Sequence, residues 1–259
     1  MNTDYLDVTE IAGDDVTKEQ VDRISNRYHW AAQFCSNKDV VEVACGTGQG
    51  LGVLSKVAKT LEAGDYSSSI LEIAKKFYRD KVYLQQFDAQ KMPYNDNSKD
   101  VVILFEAIYY IPDVNRFIQE CKRVLRPGGK VLISTANKDL YDFNPSPNSY
   151  NYLGVLELGQ LFSKYGFCAN FSGYSKIDNI SFRQKIFRPI KKLAVALGLM
   201  PKTMRGKKLL KRFVFGGLVK MPSEISMDLD NYVEPNSIGD NEANTSYKVI
   251  YCEATLAEK

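Results

Sequence analysis

The sequence predicts an α/β protein built on a doubly wound, mostly parallel sheet. Three observations carry that prediction. Short β-branched, apolar runs alternate with helical periodicity along most of the chain, the pattern of strands buried on both faces by crossover helices. The first such run, VVEVACGTGQG at residues 40–50, breaks directly into glycines, as a strand-to-helix turn does when something approaches the main chain closely. The chain has 259 residues, 44% of them hydrophobic and 25% charged, enough for one large domain with a substantial insertion.

The elements follow in order. Residues 39–45 are expected as the first strand, a helix follows over roughly 50–59, and residues 60–65 form the second strand. Residues 67–78 open with serines that can cap a helix and place Ile70, Ile73, Ala74 and Phe77 on one face. Residues 82–87 read as strand three and DVVILF at 100–105 as strand four. Over 115–125 the stripe Phe117, Ile118, Cys121, Val124 and Leu125 predicts an amphipathic helix, ended by Arg126-Pro-Gly-Gly129. KVLIST at 130–135 is strand five, 155–165 a helix, 167–175 a sixth strand and YKVIYCEATL at 247–256 a seventh. About seventy residues separate the last two strands, far more than a connection needs. They read as an inserted subdomain, with helices expected over 182–200 and 206–214. The resulting division is an N-terminal helical cap at 1–36, a core at 37–176, an inserted helical subdomain at 177–245 and a final core strand and tail at 246–259.

Composition narrows the functional classes. No window approaches the run of about 18 apolar residues that spans a bilayer, and the acidic N-terminus lacks a basic-then-apolar leader, so a cytoplasmic location is expected. The five cysteines are scattered without CxxC spacing, which suggests neither a zinc site nor a disulfide framework. Charge is uneven: residues 179–223 carry 12 Lys and Arg and no acid, whereas 224–259 carry 8 acids and 2 cations.

The glycine turn must be read with its neighbours. Gly46, Gly48 and Gly50 do not keep the spacing of a dinucleotide fingerprint, and Glu42 sits inside the strand before them. A carboxylate there suits a cationic ligand better than a pyrophosphate. Asp65 ends the second strand, where it can accept from two ribose hydroxyls, and Asp88 follows the third, where it can accept from an adenine amine. With no Lys or Arg in the turn itself, a nucleoside without phosphates is the ligand indicated.

The set VVEVACGTGQG, LEAGDYSSSILEIAK, QFDAQKMPY, KDVVILFEAIYYIPD and RVLRPGGKVLIST, in this order over roughly residues 24–176, resembles the class I S-adenosylmethionine-dependent methyltransferases. The resemblance implies a Rossmann-like, seven-stranded sheet whose last strand is antiparallel, and S-adenosyl-L-methionine as cofactor. It implies that Gly46, Thr47 and Gly48 lie against the methionine part with Glu42 beneath, and that Arg27 or Tyr28 reaches the methionine carboxylate. Asp65 and Tyr66 are placed at the ribose, Asp88 and Ala89 at the adenine, and Phe105 with Glu106 beside the sulfonium. Many relatives carry Glu-His after the fourth strand where this chain has Tyr109-Tyr110, which removes a general base without touching cofactor binding. The Asn/Asp-Pro-Pro-Tyr motif of enzymes that methylate base amines is absent, and Asn144-Pro-Ser-Pro147 follows strand five instead.

The expected reaction is in-line transfer of the sulfonium methyl to an N or O atom of a small molecule, a specialised metabolite or sugar derivative. Candidate catalytic residues are Glu106, Tyr109, Tyr110 and His29, the last being the only histidine. The scarcity of histidine tilts the reading toward nitrogen, since a hydroxyl acceptor needs a general base more. The basic segment leaves several readings open: a cover over the acceptor that meets an anionic group, an amphipathic membrane-surface contact, an RNA-binding face, or solvated helices. Nucleic acid ranks low among them, because no RNA-binding module is apparent and acids follow immediately at Glu224, Asp228 and Asp230. The oligomeric state is not legible.

Overall fold

The computed structural model describes residues 5–6, 9–177, 189, 217–228 and 232–258. The strands are β1 (Asp15–Val16), β2 (Asp39–Val43), β3 (Thr60–Asp65), β4 (Tyr83–Gln86), β5 (Lys99–Phe105), β6 (Leu125–Ala136), β7 (Phe167–Lys176), β8 (Val219–Lys220), β9 (Asn236–Ile238) and β10 (Tyr247–Leu256). The helices are α1 (Lys18–Cys35), α2 (Leu51–Val57), α3 (Ser68–Tyr78), α4 (Val114–Val124) and α5 (Val155–Lys164). The expected helices over 182–200 and 206–214, and most of the basic block, lie outside the described residues.

The main sheet runs β4-β3-β2-β5-β6-β10-β7-β9. Pairs from β4 through β6 are parallel, and β10 is antiparallel to both β6 and β7. This is the doubly wound, Rossmann-like arrangement expected, with one addition. Asn236–Ile238 joins the β7 edge antiparallel and makes an eighth strand, where the sequence predicts seven. Three residues, two of them polar, are too short to show a period-two signal. The strand order reverses between β2 and β5, so a crevice opens beyond their carboxyl ends.

Strict alternation explains why the sheet is covered twice. Val41, Val43, Val102, Leu104, Val131 and Ile133 pack on the face that holds α4 and α5. Val40, Val101, Ile103, Phe105, Leu132 and Tyr251 point the other way, toward α1. Each fully buried aliphatic side chain contributes about 1.5–3 kcal/mol by leaving water, so neither face tolerates a slip in register. A capping box sets the start of α1: the Gln20 N–H donates to Thr17 Oγ1 at 3.2 Å, and the Thr17 N–H donates to Gln20 Oε1 at 3.0 Å.

The buried face of α3 is rotated from the one expected. Ile70, Leu71, Ala74 and Tyr78 are buried, while Phe77 is 46% exposed. Tyr78 sets this rotation. Its hydroxyl donates to the Gly48 carbonyl at 2.7 Å and accepts from the Gly52 N–H at 3.2 Å, which ties the end of α3 to the glycine turn.

Tyr28 of α1 lies on the same turn. A Cβ at Gly50 would fall 2.2 Å from the Tyr28 ring atoms, so this glycine is required for close approach rather than for its backbone angles. The Tyr28 hydroxyl donates to Glu42 Oε1 at 2.5 Å, while Glu42 Oε2 is buried without a partner. Burial pushes the Glu42 carboxyl up to about 7, against the opposing hydrogen bond from Tyr28. The folded chain therefore holds this proton more tightly than the unfolded one. The resulting stabilisation is complete below the ordinary value of 4.5 and is lost as pH rises through 7.

Two stability measurements follow from this packing. Gly50→Ala is expected to cost about 1–3 kcal/mol through overpacking against Tyr28, read from urea denaturation midpoints. Glu42→Gln keeps an acceptor for the Tyr28 hydroxyl and removes the titration. Its stability should fall less steeply than that of the unsubstituted protein between about pH 4 and pH 8, and identical slopes would contradict the assignment.

Candidate active site

The site begins where two adjacent parallel strands stop. Ala44 follows β2 with φ 53° and Glu106 follows β5 with φ 52°. Both are left-handed positions in residues with a side chain, a conformation that costs about 1–3 kcal/mol and persists where surrounding structure imposes it. Gly46 and Gly48 continue the first turn at φ 60° and 83°. Asp65, at the tip of β3, holds that turn: its Oδ2 accepts from the Gly46 N–H at 2.9 Å and its Oδ1 from the Ser67 N–H at 2.9 Å. Burial raises the Asp65 carboxyl, and the N–H groups of Ser67, Gly46 and Tyr66 oppose that rise. A carboxylate has about four lone-pair positions, so Asp65 retains acceptor capacity toward the open side.

These strand ends face a cavity of about 530 Å³, within the range of small-molecule and cofactor sites. Of the residues expected at the cofactor, Tyr28, Gly46, Asp65, Tyr66, Asp88, Ala89 and Phe105 line it. Asp88 is oriented by Gln90, whose main-chain N–H donates to Oδ1 at 2.8 Å, and Gln90 is itself held through the Asp113 N–H at 3.0 Å. Glu42, Thr47 and Gly48 are not on the cavity surface. Glu42 and Thr47 are buried behind the turn, where Glu42 engages Tyr28, and the Gly48 carbonyl is taken by Tyr78.

Three of the four candidate catalytic residues reach the cavity: Glu106, Tyr109 and Tyr110. Glu106 Oε1 accepts from Ser134 Oγ at 3.1 Å and Oε2 from the Tyr109 hydroxyl at 3.2 Å. Its main-chain N–H donates to the Ser134 carbonyl at 2.8 Å, so β6 fixes both ends of the residue. Burial, then the Glu106 charge, holds the Tyr109 phenol well above its usual value, and burial pushes Tyr110 up to about 12. Both stay protonated near neutral pH. His29 is a correction to the expected set. It is buried on α1 away from the cavity, with its ring 6.2 Å from Tyr232, and burial lowers its pKa. A helix that turns Tyr28 inward necessarily carries the next residue about 100° away.

The chain also brings residues to this cavity that motif reading missed. Gln20, Arg23 and Ile24 line it from one face of α1, beside the expected Arg27, a stripe whose helical spacing was visible but whose polarity hid it. Tyr5, Ser134, Ser146 and Tyr150 come from distant segments and carried no local signal. The Arg27 guanidinium lies 5.5 Å from the Tyr28 ring centroid and 5.8 Å from that of Phe105, a cation–π arrangement beside the turn. The left-handed turn, the acids at the end of β3 and beyond β4, and a cation beside the turn fit the nucleoside and methionine parts of S-adenosylmethionine. No Lys or Arg lies in the turn itself to meet a diphosphate.

Comparison with known proteins agrees. A family model for a methyltransferase domain matches residues 41–133. A probable S-adenosylmethionine-dependent methyltransferase of Mycolicibacterium smegmatis is 33% identical over 144 residues, covering 54% of this chain and 56% of the relative. Phthiotriol/phenolphthiotriol dimycocerosates methyltransferase 1 of Mycobacterium ulcerans is 33% identical over 135 residues, covering 49% and 47%. The chain spans about half the length of the curated relatives it matches. The YcgJ protein of Bacillus subtilis superposes with a TM-score of 0.58 over 90% of this chain and 99% of that one at 17% identity, a likeness of fold alone. Residues 41–133 thus match a methyltransferase domain, and over this stretch the chain is similar to S-adenosylmethionine-dependent methyltransferases.

Proposed function

We propose that this protein moves the methyl group of S-adenosylmethionine to an N or O atom of a small-molecule acceptor, a specialised metabolite or sugar derivative, with nitrogen favoured. The observation that carries the proposal is Glu106. It is held in a left-handed backbone at the switch point, gripped by Ser134 and Tyr109, and set on the cavity surface.

The cofactor supplies an electrophilic methyl on sulfur; the protein contributes orientation and a proton acceptor. Asp65 is assigned to the ribose hydroxyls and Asp88 to the adenine amine. Glu106 orients the acceptor N–H. Glu106 would accept the proton that the acceptor nitrogen gives up on taking the methyl group. Tyr109 and Tyr110, with raised pKa values, serve as donors and not as bases. An alcohol needs a stronger base than a carboxylate, and the lone histidine is turned away.

Oxygen transfer to a larger acceptor is the second reading, favoured by similarity to the Mycobacterium ulcerans protein, whose name specifies a phthiotriol lipid. Residues 177–245 are read as a cover over the acceptor end. In support, the Ile225 N–H donates to the Gln49 carbonyl at 2.7 Å, and Glu224 packs against Gly52. The RNA and membrane-surface readings rest on the basic block outside the described residues and gain no support here.

Calorimetric titration with S-adenosylmethionine should show Asp65→Ala losing about tenfold or more in affinity, the scale of hydrogen bonds to a charged group; equal affinity removes Asp65 from the site. Glu106→Gln should keep cofactor affinity while methyl transfer to a responsive amine falls about 10²-fold or more.

A further inference from the structure

Tyr5, Thr9 and Glu10 line the cavity from the chain that precedes α1. The Tyr5 ring stands 5.2 Å from that of Tyr110, and the Thr9 methyl lies 3.8 Å from where a Cβ on Gly46 would stand. These residues therefore span the cavity from the glycine turn to the tyrosine after β5. Their attachments are polar. The Gln49 side chain donates through Nε2 to the Glu10 carbonyl at 2.7 Å, and the Gln20 side-chain amide donates to Glu10 Oε1. The Gly13 N–H donates to the Met221 carbonyl at 2.8 Å. No residue from Thr9 to Asp15 is buried.

The chain that receives these bonds is anchored differently. Met221 and Ile225 are 2% and 4% exposed and belong to the apolar cluster that holds Tyr28 and Trp30. The Ile225 N–H donates to the Gln49 carbonyl at 2.7 Å. Gln49 thus carries the later segment on its main chain and the earlier one on its side chain. Segments held by a few hydrogen bonds near solvent open at lower free energy than segments with buried apolar anchors. Gly13 stands where the two regimes meet. It is exposed at φ 87°, and no described atom lies within 4 Å of the place a Cβ would occupy. Beyond it Val16 is buried and Thr17 caps α1, so the fixed part of the fold begins there.

We propose that residues 9–14, with Tyr5, form a hinged cover over the nucleoside crevice, pivoting at Gly13 and latched by Gln49. This rests on the S-adenosylmethionine reading above and concerns how that molecule enters and leaves. Gln49 is a positioning residue: it acts by holding the cover, through the Glu10 carbonyl, against the glycine turn. A bound nucleoside touches the closed cover and so favours it. Exchange with solvent waits for the latch to release, as lid opening limits product release in many enzymes.

Gln49→Met keeps the length of the side chain and removes the donor; Gln49→Glu removes it by a second route. Association and dissociation of S-adenosylhomocysteine are followed by stopped flow, and thermal unfolding confirms that each variant is folded. Both rate constants should rise about fivefold or more, the scale of one lost hydrogen bond. Loss of a mere ligand contact would raise dissociation alone, so an unchanged association rate overturns the proposal. The ligand-free protein supplies a second readout. By NMR, the Gly13 amide should exchange with deuterium about fivefold faster in the variants, while the Cys45 amide, bonded to the Gly64 carbonyl, keeps its rate. Unchanged exchange at Gly13, or an equal rise at Cys45, also overturns it. Faster Gly13 exchange in a protein that refuses S-adenosylhomocysteine keeps the latch and instead defeats the nucleoside reading.

Discussion

The hydrogen bond from the Gly46 N–H to Asp65 is the constraint on which the rest of the site depends. It joins a turn with left-handed glycines to the tip of the neighbouring strand, and so fixes where the main chain stands relative to the crevice. The anchor is doubled from behind. The Cys45 N–H donates to the Gly64 carbonyl at 3.0 Å, and the Tyr78 hydroxyl holds Gly48. A carboxylate that accepts from several N–H groups is itself immobilised, so its remaining lone pairs are aimed. Preorganisation of this kind lets a protein bind a nucleoside without reordering its own backbone.

The two walls of the cavity differ in chemistry. The α1 side presents Arg23 and Arg27 beside the glycine turn, while the opposite side presents tyrosines and Glu106. Arg23 is paired with Glu19 at 2.6 Å, and Glu19 also accepts from Lys248 at 2.6 Å. These charges hold the Glu19 carboxyl down at about 2, overcoming its burial. An ion network spanning α1 and β10 therefore backs Arg23 on that wall.

How much of this was legible in the sequence depended on the range of the interaction involved. The core strands declared themselves: Thr60–Asp65 and Tyr247–Leu256 fall at the bounds expected of them. Asp65 was singled out from its place at the end of a strand and Glu106 only through the family resemblance; both stand on the cavity surface. The rotation of α3 was not, since one tyrosine hydroxyl reaching two glycine backbones outweighs the apolar stripe. The edge strand at Asn236–Ile238 and the wall residues Tyr5 and Tyr150 were equally silent, because partners far along the chain decide their placement. His29 misled for a related reason, as residue type says nothing about which side of a helix it occupies.

The pairing of β1 with β8 carries a consequence for biosynthesis. Asp15 and Val16 pair with Lys220 and Val219, and the Gly13 N–H donates to the Met221 carbonyl at 2.8 Å. Strands β2 to β6 can assemble as they leave the ribosome, but the segment leading into α1 has no partner until some two hundred further residues have been made. Domains generally form in the order of their synthesis. The segment that brings Tyr5, Thr9 and Glu10 to the cavity is therefore tied down only after residues 219–221 have been made.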